Sequence, residues 1–174
     1  MDDVLDILKL GVDKERMRKA AYEEAAAATH NALAKLTFAA LAEQEAAHER
    51  YLKAYYDKQV AQEGWPAPSE IGVEDDMMDV VKTIFKQATA QIKEVGAKDE
   101  GLTEVYDAGI AAESESVEFY QDAASKATDP NAQAFFGILV EAEKLHLKLL
   151  SDTQEFLDDT EQWFFNEENW IVEG

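Results

Sequence analysis

Leu41-Ala42-Glu43-Gln44-Glu45-Ala46-Ala47-His48 returns as Leu139-Val140-Glu141-Ala142-Glu143-Lys144-Leu145-His146, 98 positions further along the chain. Carried outward, the same shift lays residues 11–52 on 109–150. Gly11, Glu15, Tyr22, Ala25, Ala26, Ala34, Phe38, Leu41, Glu43, Glu45, His48 and Leu52 then each meet their own residue type. Those 12 identities in 42 positions stand against roughly three expected by chance from so biased a composition. The chain is therefore a duplication, joined by a connection and followed by a tail.

Each copy reads as two helices. Val4 to about Thr29 is rich in helix formers, with apolar or small residues at Leu5, Leu8, Val12, Met17, Ala20 and Ala21. Gly11 costs this helix only about 1 kcal/mol relative to Ala. The pattern loses phase at His30-Asn31, where His30 reads as a surface residue of the turn. It resumes from about Ala32 to Gln62, with Leu33, Leu36, Leu41 and Leu52 on one side. In the second copy, helices are expected from about Leu102 to Ala127 and from Asn131 to about Leu157, with Pro130 suited to a first turn. Between the copies, Glu63-Gly64-Trp65-Pro66-Ala67-Pro68-Ser69 reads as a loop and about 75–94 as a further helix. With 8 Gly and 3 Pro in 174 residues, a sandwich or barrel lacks its turns, and the fold class is all-α.

Composition narrows the chemistry. The absence of cysteine removes disulfides, thiolate metal sites and thiol nucleophiles. A net charge of −21 disfavours nucleic acid and favours cations as partners. The acidic Met1-Asp2-Asp3 start and the lack of a run of about 20 apolar residues point to a cytoplasmic protein without membrane association.

The repeated polar residues carry the functional signal. Each Glu-x-x-His follows another glutamate by 30 residues: Glu15 precedes Glu45, and Glu113 precedes Glu143. The midpoints, residues 30 and 128, fall in the two expected turns. Folding each hairpin there sets both glutamates at one height, about 20 Å from the turn. Residues three apart lie only about 60° apart around a helix, so His48 and His146 point with their glutamates. Four carboxylates and two imidazoles thus gather in mid-bundle. Such a cluster is repulsive unless divalent cations balance it, and two ions balance four carboxylates. Oxygen donors with two imidazoles suit iron or manganese and admit zinc. Tyr22 and Tyr120, seven residues after Glu15 and Glu113, share the inward face and read as donors that steady ligand carboxylates. Glu43 and Glu141 also repeat but lie about 200° around, on the solvated side.

This arrangement resembles the dinuclear carboxylate site of ferritin-like four-helix bundles. More closely, Leu41–His48, Ala112-Glu113-Ser114-Glu115-Ser116-Val117-Glu118-Phe119-Tyr120 and Glu143-Lys144-Leu145-His146 resemble the rubrerythrin-like branch of that superfamily. The likeness covers about residues 4–62 and 102–157, and the ending Glu161-Gln162-Trp163-Phe164-Phe165 is similar to tails in that branch. It implies one ferritin-like domain over 1–174: hairpin one about 2–62, a helix-containing crossover about 63–101, hairpin two about 102–157, and an aromatic tail 158–174. It implies two divalent ions per chain, iron first among them, held by Glu15, Glu45, His48, Glu113, Glu143 and His146. Two features depart from the branch. No cysteine is present to build its rubredoxin-type iron domain, and Ser116 stands where an additional glutamate is usual, with Arg18 as its counterpart in the first copy.

The implied function is an oxidoreductase that reduces peroxide or oxygen with electrons from an external donor such as a rubredoxin-like protein. An iron-handling module (ferroxidase, binding or storage) and a structural bundle with a vestigial site are the alternatives. The segment Trp163–Val172, costly to expose, is expected to pack on the bundle or within a homodimer, or else to act as a lid.

Overall fold

Asn31 and Asp129 close two helical hairpins in the computed structural model, which describes residues 4–73, 83–84 and 100–158. Helix α1 (Val4–Ala28) ends where the backbone turns, and Asn31 caps α2 (Ala32–Val60) by accepting the Ala34 N–H at 3.0 Å. In the second hairpin α4 (Leu102–Lys126) is followed by α5 (Pro130–Asp158). There the Asp129 carboxylate accepts from the backbone of Asn131 at 2.8 Å and Ala132 at 3.3 Å. Pro130 loses nothing at this position, because the first N–H groups of a helix have no partner within it. A short α3 (Pro68–Ile71) lies between the hairpins.

Helix α1 packs along α2 and α4 along α5; across the hairpins α2 lies on α5 and α1 on α4. The result is a four-helix bundle, and the described residues contain no strand. None of the described helices is long and apolar enough to cross a membrane. Inside, the apolar residues form two separate clusters. One holds Phe38, Leu41, Tyr106, Leu149 and Phe156; the other holds Leu8, Leu52, Tyr55, Phe135, Phe136 and Leu139. Along α2 the chain passes from Leu41 in the first, through Glu45 and His48, to Leu52 in the second. A charged layer is thereby enclosed between two apolar ones.

One expectation is corrected. The segment read as a loop through Ser69 turns helical at Pro68, because proline's fixed φ suits a first turn. The inward face of α1 is Leu8, Gly11, Glu15, Arg18, Tyr22 and Ala26, while Met17 is 74% exposed and Ala20 and Ala21 also face out. Most inward positions of α1 are polar or glycine, so its apolar residues do not report its phase. The helix expected over about 75–94 and the Trp163–Val172 segment lie outside the described residues, except for helical Thr83 and Ile84.

Candidate metal centre

Each of the four long helices delivers one glutamate to the enclosed layer. Glu15, Glu45, Glu113 and Glu143 have no solvent exposure; neither does His146, and His48 is 4% exposed. The one-turn spacing of each Glu-x-x-His brings both members inward. His48 Nδ1 lies 3.2 Å from Glu143 and 3.7 Å from Glu45. His146 Nδ1 lies 3.2 Å from Glu45, 3.3 Å from Glu143 and 3.6 Å from Glu113. The two rings stack, with centroids 5.2 Å apart and planes 17° from parallel. Glu43 and Glu141 face outward, as does His30.

Tyr22 and Tyr120 reach this layer crosswise. Tyr22 Oη donates to Glu113 Oε1, and Tyr120 Oη donates to Glu15 Oε1. Each tyrosine therefore grips the glutamate of the opposite hairpin, not the one seven residues before it. Gly11 and Gly109 make room for the crossing. A Cβ on Gly11 would stand 3.1 Å from Leu52 and 3.4 Å from Tyr120 Oη; one on Gly109 would stand 3.2 Å from Leu150 and 3.5 Å from Tyr22.

The sequence reading missed Arg18. It lies one turn after Glu15, on the same face, by the geometry that pairs Glu45 with His48. Arg18 is 8% exposed. It donates to Glu15 Oε2, to Ser116 Oγ and, at 3.4 Å, to Glu143 Oε1, and lies 3.4 Å from Glu45 and 4.0 Å from Glu113. Arg18 thus contacts all four carboxylates.

Burial and crowding set the protonation of this layer. Burial, reinforced by Glu45 and Glu143, drives the Glu113 carboxyl well above the usual range. Glu15 is pushed the same way by burial and the same two neighbours, with Arg18 opposing. Burial acts likewise on Glu45 and Glu143 but is overcome: the close imidazoles, and for Glu45 the neighbouring Glu15 carboxyl, hold both carboxylates low. Burial alone would strip the imidazoles of their proton, yet the surrounding carboxylates raise both, His146 the more. Without metal, protons and Arg18 are what hold the cluster together.

The cluster nevertheless leaves buried atoms without a hydrogen-bond partner: both Glu45 oxygens, Glu113 Oε2, Glu143 Oε2, His48 Nδ1, both His146 nitrogens and Arg18 Nε. The contacts among them are of ionic distance but not of hydrogen-bonding geometry. Leaving such groups unmet costs about 1–3 kcal/mol each, more when charged. Glu45, His48, Glu143 and His146 each offer one ligand atom within 4.8 Å of the others, and this group can hold a metal ion. Oxygen and imidazole donors are what iron, manganese and zinc take.

The model of the rubrerythrin family matches residues 6–153, which include every residue of this layer. No curated protein and no solved structure matches the chain.

Proposed function

The chain belongs to the rubrerythrin family, and on that premise we propose that it is a metal-carboxylate oxidoreductase that reduces peroxide or oxygen with electrons from an external donor. The observation that supports this most is the convergence of unpartnered, buried carboxylate and imidazole atoms on one point of the bundle. In this reading Glu15, Glu45, His48, Glu113, Glu143 and His146 form the ligand set, with a full complement of two divalent ions, iron foremost. Bound there, iron would supply reversible electron transfer and an open coordination position for the oxidant.

The chain's own residues supply position and access. Tyr22 fixes one oxygen of Glu113 and leaves the other turned toward His146, while Tyr120 fixes Glu15. The apolar clusters on either side exclude bulk water, so charges in the layer interact more strongly than they would at the surface. A cleft of about 330 Å³ between α1 and α4 is lined by Ala21, Ala25, Ala108 and Ala112 together with Arg18 and Tyr22. Its volume is ample for a molecule the size of peroxide. These 174 residues include no cysteine to ligate an iron–sulfur centre, and in this reading an external donor supplies the electrons. Cytoplasmic location and homodimeric assembly belong to the same reading.

The test is anaerobic Fe(II) loading, then peroxide, then a reductant. An oxidoreductase keeps its iron and turns over repeatedly. Release of the iron, or accumulation well beyond the ligand set, would instead establish an iron-handling module, for which the charge of −21 is suited. Glu113→Ala should impair oxidation, whereas Glu141→Ala, on the outer face, should leave it unchanged.

A further inference from the structure

We infer that Arg18 is a resident cation of the carboxylate layer that divides it into two unequal metal positions. One position, at Glu45, His48, Glu143 and His146, loads tightly. The other requires Glu15 and loads only when the guanidinium is displaced. The inference rests on the metal-binding reading and concerns the number and order of ions.

The duplication supplies both halves with the same glutamates, histidine and tyrosine. The inward positions one turn after Glu15 and Glu113 differ: Arg18 in the first half, Ser116 in the second. The consequence appears in the acceptors. Glu15 Oε1 accepts from Tyr120 and its Oε2 from Arg18, so each oxygen already holds a donor that a metal must share or displace. Glu113, its counterpart, accepts from Tyr22 at Oε1 but keeps Oε2 unpartnered. The other unpartnered ligand atoms belong to the two Glu-x-x-His pairs, on α2 and α5. No unpartnered ligand atom in the layer comes from α1.

Charge gives the same ordering. Arg18 cannot surrender its proton under ordinary conditions, and its carboxylate neighbours hold that proton more firmly still. With it in place, four ionised carboxylates present a net charge of three negatives. One divalent ion reduces this to one, whereas a second would leave an excess positive charge between apolar walls. A second ion must also take Glu15, which means breaking the buried Arg18–Glu15 pair. The guanidinium has somewhere to go, because Arg18 lines the cleft between α1 and α4. Displacement into that cleft would free Glu15 and empty the centre of the layer together.

The test uses the full chain, stripped of metal and titrated with Mn(II). Retained metal per chain is measured after desalting, and magnetic coupling by electron paramagnetic resonance. Wild type should retain one ion with the signal of an isolated Mn(II), the second equivalent binding weaker by roughly a hundredfold or more, the scale set by breaking a buried ion pair. Arg18→Ser, which makes the two halves alike at this position, should retain two ions with a coupled signal. Two tightly held, coupled ions in wild type would overturn the inference alone, as would an Arg18→Ser protein that folds and still retains one. If that variant fails to fold, the wild-type count and signal decide. Retention of no metal by either protein would overturn the metal-binding reading and this inference with it.

Discussion

Arg18 and Ser116 occupy the same position in the two repeats, 98 residues apart, and the guanidinium of one donates to the hydroxyl of the other. They meet where the two halves face each other, so a strictly symmetric duplication would set identical residues in contact. Two arginines or two glutamates there would repel, and two serines would add no charge to a layer of four carboxylates. The unlike pair resolves this. Ser116 Oγ accepts from Arg18 and donates onward to the Ala112 carbonyl at 3.0 Å, so its hydrogen-bonding capacity is used in both directions.

Removing the arginine should therefore destabilise the metal-free protein most. Arg18→Ala leaves buried carboxylates without their permanent cation, and breaking a buried pair costs about 3–5 kcal/mol. Ser116→Ala loses one hydrogen bond to a charged group, about 1.5–3 kcal/mol. Urea unfolding near neutral pH, with chelator and then with Mn(II), checks both. The Arg18→Ala deficit should shrink once metal supplies the missing charge; an unchanged deficit would mean that Arg18 acts by packing alone.

The crossed tyrosines make a pairing prediction. Tyr22→Phe and Tyr120→Phe should each cost about 1–3 kcal/mol, the range for leaving a buried group without its hydrogen-bond partner. Double-mutant cycles should show coupling between Tyr22 and Glu113 and between Tyr120 and Glu15, and far less between Tyr22 and Glu15. Coupling within each hairpin instead would contradict the crossing.

What the sequence made legible followed from repetition, and what it hid followed from polarity. The 98-residue shift and the equal legs from residues 15 and 45, or 113 and 143, to their turns suffice to bring the four glutamates level. Arg18 was hidden because a departure from a motif reads as something missing. Its three-residue spacing from Glu15 places it inward by the same argument that places His48 after Glu45. The tyrosine pairing was not legible, since periodicity gives the face of a residue and not the helix it meets. Met17, Ala20 and Ala21 do not mark the inward face of α1, because its buried stripe contains Gly11, Glu15 and Arg18. Those residues contribute no apolar signal.

The two repeated glycines should not tolerate alanine equally. Either substitution gains about 1 kcal/mol of helix propensity. At Gly11 the new Cβ meets Leu52 at 3.1 and 3.3 Å and the oxygen of Tyr120 at 3.4 Å, an atom fixed by its bond to Glu15. At Gly109 only one Leu150 methyl is closer than 3.5 Å, and it can rotate away. Gly11→Ala should thus be the less stable of the two variants in thermal melts. The reverse order would show that Tyr120 is not held as rigidly as its bond to Glu15 implies.

Stability should depend on pH in opposite ways with and without metal. In the metal-free chain Glu15, Glu113, His48 and His146 all have folded pKa values above their unfolded ones. Each then binds a proton more readily when folded. Its contribution to stability is complete below the unfolded value and is lost as pH rises through the folded one. That loss begins above 4.5 for the two carboxyls and above 6.5 for the two imidazoles. Glu45 and Glu143 have the opposite sign, but their contribution is lost only as pH falls below 4.5 toward their folded values. Between about pH 5 and about pH 8, metal-free protein should therefore become less stable as pH rises. Self-repulsion of an acidic chain acts in the same direction, so the decline alone does not isolate the cluster. The comparison with metal does. Ligand carboxylates and imidazoles bind metal in their deprotonated forms, so affinity rises over the same interval and the mass-action stabilisation grows with it. Melting temperatures in chelator should fall with pH while those in excess Mn(II) hold or rise, and the gap should be widest at the alkaline end. A gap that stays constant across the interval would mean that metal binds on the acidic surface and not among these buried groups.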